Sequence, residues 1–248
     1  MMMTDAIEAK PFPRIWPALG WIVFYFILQL VCTVVAIAVA TVANPDSMTA
    51  AISDPSKAMA DPAVAMSVVW GLVGAGAITL AAIAFNVRKE GRAAKIGLFA
   101  KSRLSVIETL GTAAVLLLGA FVLNWAYTTY VVPGVELQAD VVAMLKALDA
   151  TPLGIALKFI AVALLAPTIE ELLFRGYLQT SLTNRMNHHI AIWLAALVFA
   201  LVHMQPLATP ALMILGAAFG YLYHRTGSLL TCILLHVVNN SAALVFSG

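Results

Sequence analysis

The sequence predicts an all-α polytopic membrane protein, a bundle of about seven transmembrane helices (seven give or take one). Two observations carry this. The 248-residue chain is 62% hydrophobic and only 10% charged, against about 25% charged in ordinary soluble chains. So few charges could not cover a soluble surface. The apolar runs are also long and unalternated, whereas a membrane β-barrel shows segments of about ten residues alternating in polarity.

Lys10 and Arg14 precede a first span, Ile15–Ala43, which Trp16 and Trp21 open as interface anchors. This uncharged run far exceeds the about 7–15 residues of a signal-peptide core, so it is expected to stay as an anchor. Asn44-Pro45-Asp46 stops it, and a small-residue connector with Asp54, Lys57 and Asp61 follows. A second span is expected over 63–86, where Gly71, Gly74 and Gly76 permit close helix contact. Arg88, Lys89, Arg92, Lys95, Lys101 and Arg103 then form the most basic stretch. A third span, 109–132, ends at Pro133-Gly134. The next connector sets Glu136, Asp140 and Asp149 against Lys146.

A fourth helix starts near Pro152, with Lys158 one turn in and expected to snorkel outward. The turn Asn184-Arg185-Met186-Asn187-His188-His189 separates it from a fifth span, 190–204. Gln205-Pro206 and Pro210 break the chain before a sixth span ending at Tyr223. His224-Arg225-Thr226-Gly227 reads as a tight connector, and the seventh span covers 228–246. His188, His189 and His224 are expected to be solvated connector residues. Gly216 and Gly220 form a GxxxG read as helix packing.

Lys and Arg in short loops are retained on the cytoplasmic side. That rule places the N-terminus, the basic connector, Arg185 and Arg225 inside, and the two acid-leaning connectors outside. The basic connector is a candidate for anionic lipid, though positive-inside retention alone accounts for its charge. The chain divides into an N-terminal three-helix membrane region with a basic cytoplasmic connector, 1–151, and a C-terminal four-helix region, 152–248. A net charge of +2 gives no reason to expect a nucleic-acid partner. Cys32 and Cys232 sit in apolar runs without redox or metal spacing and read as core residues.

Three polar constellations fall inside predicted spans. A charge at mid-bilayer costs about 2.5–3.5 kcal/mol on the insertion scale, so such residues face a bundle interior and serve a purpose there. Glu170-Glu171 and Arg175 come first. At about 100° per residue, Glu171 and Arg175 share one face as an i,i+4 ion pair, and Glu170 points elsewhere. Glu171 and Arg175 are therefore expected to be a structural pair that leaves Glu170 free for chemistry. Pro167, one turn earlier, removes a helix hydrogen bond and can bend the helix. Phe199 and His203 come next, with Phe199 a packing residue. Glu170 and His203 are nearly equidistant from the turn at Asn187, so an antiparallel hairpin brings them level. A carboxylate and an imidazole at one depth suit acid–base chemistry on water. His236 and Asn240 follow, one turn apart on the last helix, as a donor or ligand pair. Asn239 points to a different face.

In order and on separate helices, Glu170-Glu171-x-x-x-Arg175, Phe199-x-x-x-His203 and His236-x-x-x-Asn240 resemble a known signature. It is EExxxR, FxxxH, HxxxN, that of the CAAX-protease and bacteriocin-processing (CPBP, or Abi) family of intramembrane endopeptidases, related to the type II CAAX prenyl endoproteases. The resemblance covers about residues 152–246. It implies that Glu170 and His203 activate the attacking water and that His236 and Asn240 stabilise the oxyanion. Glu171, Arg175 and Phe199 would then be structural support. The family has been described both as metal-dependent and as metal-independent. If Zn²⁺ is used, Glu170, His203 and His236 would hold it with one position open; the expectation is that no metal is obligatory. The family commonly carries an eighth helix, so the resemblance implies a trimmed bundle here.

The implied substrate is a membrane-associated or hydrophobic peptide, and the implied location a bacterial inner membrane. No HExxH, GxGD or GxSG motif points to another intramembrane protease class. A non-catalytic scaffold or bacteriocin self-immunity protein of the same fold, and a small proton-coupled transporter, are the alternatives.

Overall fold

The computed structural model describes residues 12–43, 45, 58–89, 91–135 and 138–246. Lys10, Asn44, Asp46, Asp54, Lys57 and Glu136 lie outside the described residues. Those described are helical and contain no strand. The long elements are α1 (Ile15–Ala43), α2 (Pro62–Val87), α3 (Val106–Val131), α4 (Ala139–Leu148), α5 (Pro152–Thr183), α6 (His188–Leu201), α7 (Thr209–Thr226) and α8 (Leu229–Phe246).

Local chemistry sets the starts. Asp61 caps α2, accepting from the Ala63 and Val64 amides at 2.8 and 3.1 Å. Ser105 and Glu108 form a capping box on α3, Thr151 and Pro152 open α5, and Asn187 caps α6. Gly227, in the left-handed conformation, ends α7 and donates its amide to the Tyr223 carbonyl at 2.8 Å. The expected connector at 224–226 is therefore the last turn of α7, and the turn itself is confined to Gly227 and Ser228.

α1, α2, α3 and α5 are long and apolar enough to cross a membrane, and α6 and α8 are shorter apolar helices. They make this a polytopic membrane protein. α6 has 14 residues, or about 21 Å, short of a hydrocarbon core of about 30 Å. It stops at Leu201, so the expected span to residue 204 is cut short and His203 lies in the turn beyond it. The acid-leaning connector also contains a helix that was not expected. α4 buries Met144 and Leu148 against Ala65, Val69, Leu157 and Ala161.

α1 packs along α2, and both pack against α5; α6 packs along α7, and α3 lies against α7. At Gly71 a Cβ would stand 2.6 Å from the Thr33 backbone, so α1 and α2 meet at near-backbone distance. The main core runs from Ile22 and Ile83 through Leu173 and Phe174 to Ala195 and Leu229. It crosses the 151/152 boundary, so the N-terminal helices form one wall of the C-terminal bundle.

Three basic turns share one end of the bundle. The Arg103 amide donates to the Thr226 carbonyl at 2.8 Å and the Leu229 amide to the Gly97 carbonyl at 2.9 Å. At the other end Lys158 is buried and paired with Asp149. This corrects the expectation that it snorkels to solvent. A buried ammonium needs a counter-charge, and Asp149, at the end of α4, supplies it.

Candidate active site

The site is built on α5, whose winding changes where the polar residues fall. Phe159–Leu165 and Glu171–Gln179 are π-helical, with Pro167 in the short α-helical piece between them. Pro167 cannot donate a backbone hydrogen bond, and π turns concentrate at functional positions. The wider winding replaces the uniform 100° spacing assumed from sequence, yet the i,i+4 contact survives. Arg175 Nη1 stands 3.0 Å from Glu171 Oε1, with the two side chains 2% and 0% exposed.

Glu171 Oε1 also accepts from His236 Nδ1 of α8 at 2.8 Å. Arg175 Nη2 donates to the Gly216 carbonyl of α7 at 2.7 Å. The guanidinium lies over the Phe199 and Phe219 rings, at 5.1 and 5.7 Å, and Phe219 stacks on His236. Four helices thus converge on one buried charge cluster. Among the described residues, Glu171 Oε2 and Arg175 Nη1 find no hydrogen-bond partner.

Glu170 stands beside this cluster and differs from it. Its side chain is 16% exposed, and Oε2 lies 3.8 Å from His236 Nε2. A carboxylate only accepts, so Nδ1 of His236 carries the proton it shares with Glu171, and Nε2 is the nitrogen that faces Glu170. Tyr25 of α1 lies within electrostatic reach of Glu170.

His203 follows the end of α6. Its Nδ1 donates to the Phe199 carbonyl at 2.7 Å, capping the end of α6, and its ring packs on Phe199 at 4.8 Å. No hydrogen bond or ion pair joins it to Glu170. The imidazole that does contact Glu170 is His236, while α6 ends three residues short of the expected 204 and leaves His203 in the turn beyond it. Asn240 donates one N–H to the Val162 carbonyl at 3.0 Å, tying α8 to the first π segment of α5, and accepts from Asn239. Glu170, His203 and His236 do not gather as a ligand set. Among the described residues, no three His, Cys, Asp or Glu side chains are arranged to hold a metal.

Residues 152–242 match the model of the type II CAAX prenyl endopeptidase Rce1-like family. The C-terminal region is Rce1-like. The uncharacterized protein YpbD of Bacillus subtilis (strain 168) is 36% identical over 83 residues, which are 32% of this chain and 40% of that protein. The chain thus spans well under half the length of this curated relative. No solved structure matches the chain. The Rce1-like segment begins at Pro152, the first residue of α5, and contains every residue of the charge cluster.

Sequence reasoning missed the acceptors on α7. Arg175 bonds the Gly216 carbonyl, and Gln179 Nε2 bonds the Gly220 carbonyl at 2.9 Å. Both pairs have i,i+4 spacing, a signal present in the sequence. The packing reading of the GxxxG also holds: a Cβ on Gly216 would meet Phe199 at 3.1 Å and the Ala196 backbone at 3.3 Å. Tyr25 carried no such signal. The connector histidines are not simply solvated either. His188 stacks on His224 at 4.1 Å, and His189 Nδ1 bonds the Tyr221 hydroxyl at 2.8 Å.

Proposed function

We propose that this chain is an intramembrane endopeptidase that hydrolyses a peptide bond of a membrane-associated or hydrophobic peptide. One observation carries the reading. Glu170 is a partly accessible carboxylate facing the free nitrogen of an imidazole whose other nitrogen is fixed on a buried Glu171–Arg175 pair. The Rce1-like match supports the reaction class.

In this reading Glu170 takes a proton from water as its oxygen attacks the scissile carbonyl, and the proton then passes to the leaving amine. His203 is the second base. With Nδ1 donating to a carbonyl, its neutral ring presents an unprotonated Nε2. His236 and Asn240 serve the oxyanion. His236 offers an Nε2–H to the oxyanion in its doubly protonated form, with Nδ1 held on Glu171, and Asn240 retains an N–H beyond the one given to Val162. No step is routed through a metal, since the donors do not form a ligand set; activity lost on thorough chelation and restored by Zn²⁺ would overturn that part.

The cell location proposed is a bacterial inner membrane with the N-terminus cytoplasmic. The three basic turns lying at one end of the bundle support that orientation. The deciding experiment compares membrane peptides by proteomics with wild type and with Glu170→Ala. Peptides that accumulate uncleaved only in Glu170→Ala are expected. Unchanged peptides with full biological activity in that variant would replace the enzyme with a scaffold or immunity protein of the same fold.

A further inference from the structure

The end of the bundle that carries the basic turns forms an open polar pocket of about 350 Å³, away from the Glu170 cluster. Lys95, Lys101 and Arg103 line it from the basic segment, Asn184 from the end of α5, and His224 from the last turn of α7. Backbone bonds fix this rim. Besides the Arg103–Thr226 and Gly97–Leu229 bonds, the Tyr223 hydroxyl donates to the Ile96 carbonyl at 2.9 Å. Gly97 and Gly227, both left-handed, make the seam possible, since a Cβ on Gly97 would stand 2.6 Å from the Gly227 carbonyl oxygen. The cations are placed by the fold, on a segment bonded at several points to α7 and α8.

They are also uncompensated. Among the described residues no acidic side chain lines the pocket, and Lys95, Lys101 and Arg103 make no ion pair. Arg103 has only a long contact, 3.5 Å, to the His224 carbonyl. Positive-inside retention requires basic residues at this end but not their convergence on one pocket; Arg88, Lys89 and Arg185 serve retention without lining it. Converging like charges raise the energy of the empty site and lower that of an anion within it.

We propose that this cavity binds a phosphate-bearing group, presented by an anionic phospholipid headgroup or by a free phosphate compound. The two lysines act as point charges and Arg103 as a fork for paired oxygens. The Asn184 amide adds a neutral donor.

The test uses the full chain and two double variants of equal charge. Lys95→Gln/Lys101→Gln empties the cavity of lysines, whereas Arg88→Gln/Lys89→Gln removes two charges outside it. All four side chains are exposed, so folding is expected to be unaffected. Protein taken from bilayers of equal parts phosphatidylglycerol and phosphatidylcholine is examined by native mass spectrometry for retained lipid. In parallel, lipid-depleted protein in detergent is melted with and without millimolar inorganic phosphate.

Retained phosphatidylglycerol is expected to fall about 10–30-fold in the cavity variant, from about 1 kcal/mol per cation, and less than twofold in the outside variant. That result assigns a lipid headgroup. A phosphate-dependent rise in melting temperature in wild type, absent only from the cavity variant, assigns a free phosphate compound. Equal losses in the two variants, or no response to either probe, overturn the proposal.

Discussion

The N-terminal helices and the C-terminal bundle use similar apolar sequence for opposite ends. Only 11% of the most apolar stretch of α1 and 17% of that of α3 is buried inside the protein, against 39% for α5. α1 and α3 cover their surface with lipid and carry no charge at mid-span. α5 is covered by neighbouring helices, and there Glu171 and Arg175 are sealed away with α6 contributing a ring, α7 an acceptor and a ring, and α8 a donor. Hydrocarbon offers a charge nothing, whereas a helix packed on all sides can be given partners at fixed positions. The polar chemistry therefore concentrates on the one helix with the fullest protein surroundings.

The sharpest probe of that contrast lies within α5 itself. Glu170→Gln keeps the size of the side chain and removes its basicity, so cleavage is expected to fall about 10²–10⁴-fold, with the melting temperature in detergent unchanged. Its neighbour should behave in the opposite manner. Glu171→Ala strands Arg175 in a dry site, and breaking a buried pair costs about 3–5 kcal/mol, read as a large drop in melting temperature and folded yield. A fully stable but inactive Glu171→Ala would erase the distinction between the two carboxylates.

Gly216→Ala tests the seam between α6 and α7. Its methyl must displace the Phe199 ring and the Ala196 backbone, for about 1–3 kcal/mol of destabilisation by overpacking; a neutral result in thermal unfolding would mean that α6 shifts freely. The smallest effect is expected in the lipid-facing region. Val115 of α3 is 72% exposed, so Val115→Ala should stay within about 0.5 kcal/mol of wild type. A larger loss would show that this face is covered by protein in the membrane.

Much of the site was legible because its parts are local. Four-residue spacing was enough to expect the Glu171–Arg175 contact, and it survived a change from α to π winding. Spacing also put Arg175 and Gln179 in step with Gly216 and Gly220, although that match was visible only after the helices had been paired. The positions of His203 and His236 were not legible in the same way. Counting residues from a turn assumes that each helix runs its full predicted length. α6 stops at Leu201, and His203 turns back onto the Phe199 carbonyl. The offset of α8 against α5, which brings His236 to both glutamates, depends on the packing of Ile169, Leu229 and Phe219 around it.

The sequence by itself determined the membrane class, the long apolar helices and the identity of the few polar residues within them. Each of these follows from composition or from periodicity along one segment. Tertiary structure decided which carboxylate is sealed and which is open. It also decided which imidazole stands beside the open one and that the basic segment meets the ends of α5 and α7 around one pocket. These are distances between helices, and they depend on where each helix ends, how it winds and how closely its neighbours approach.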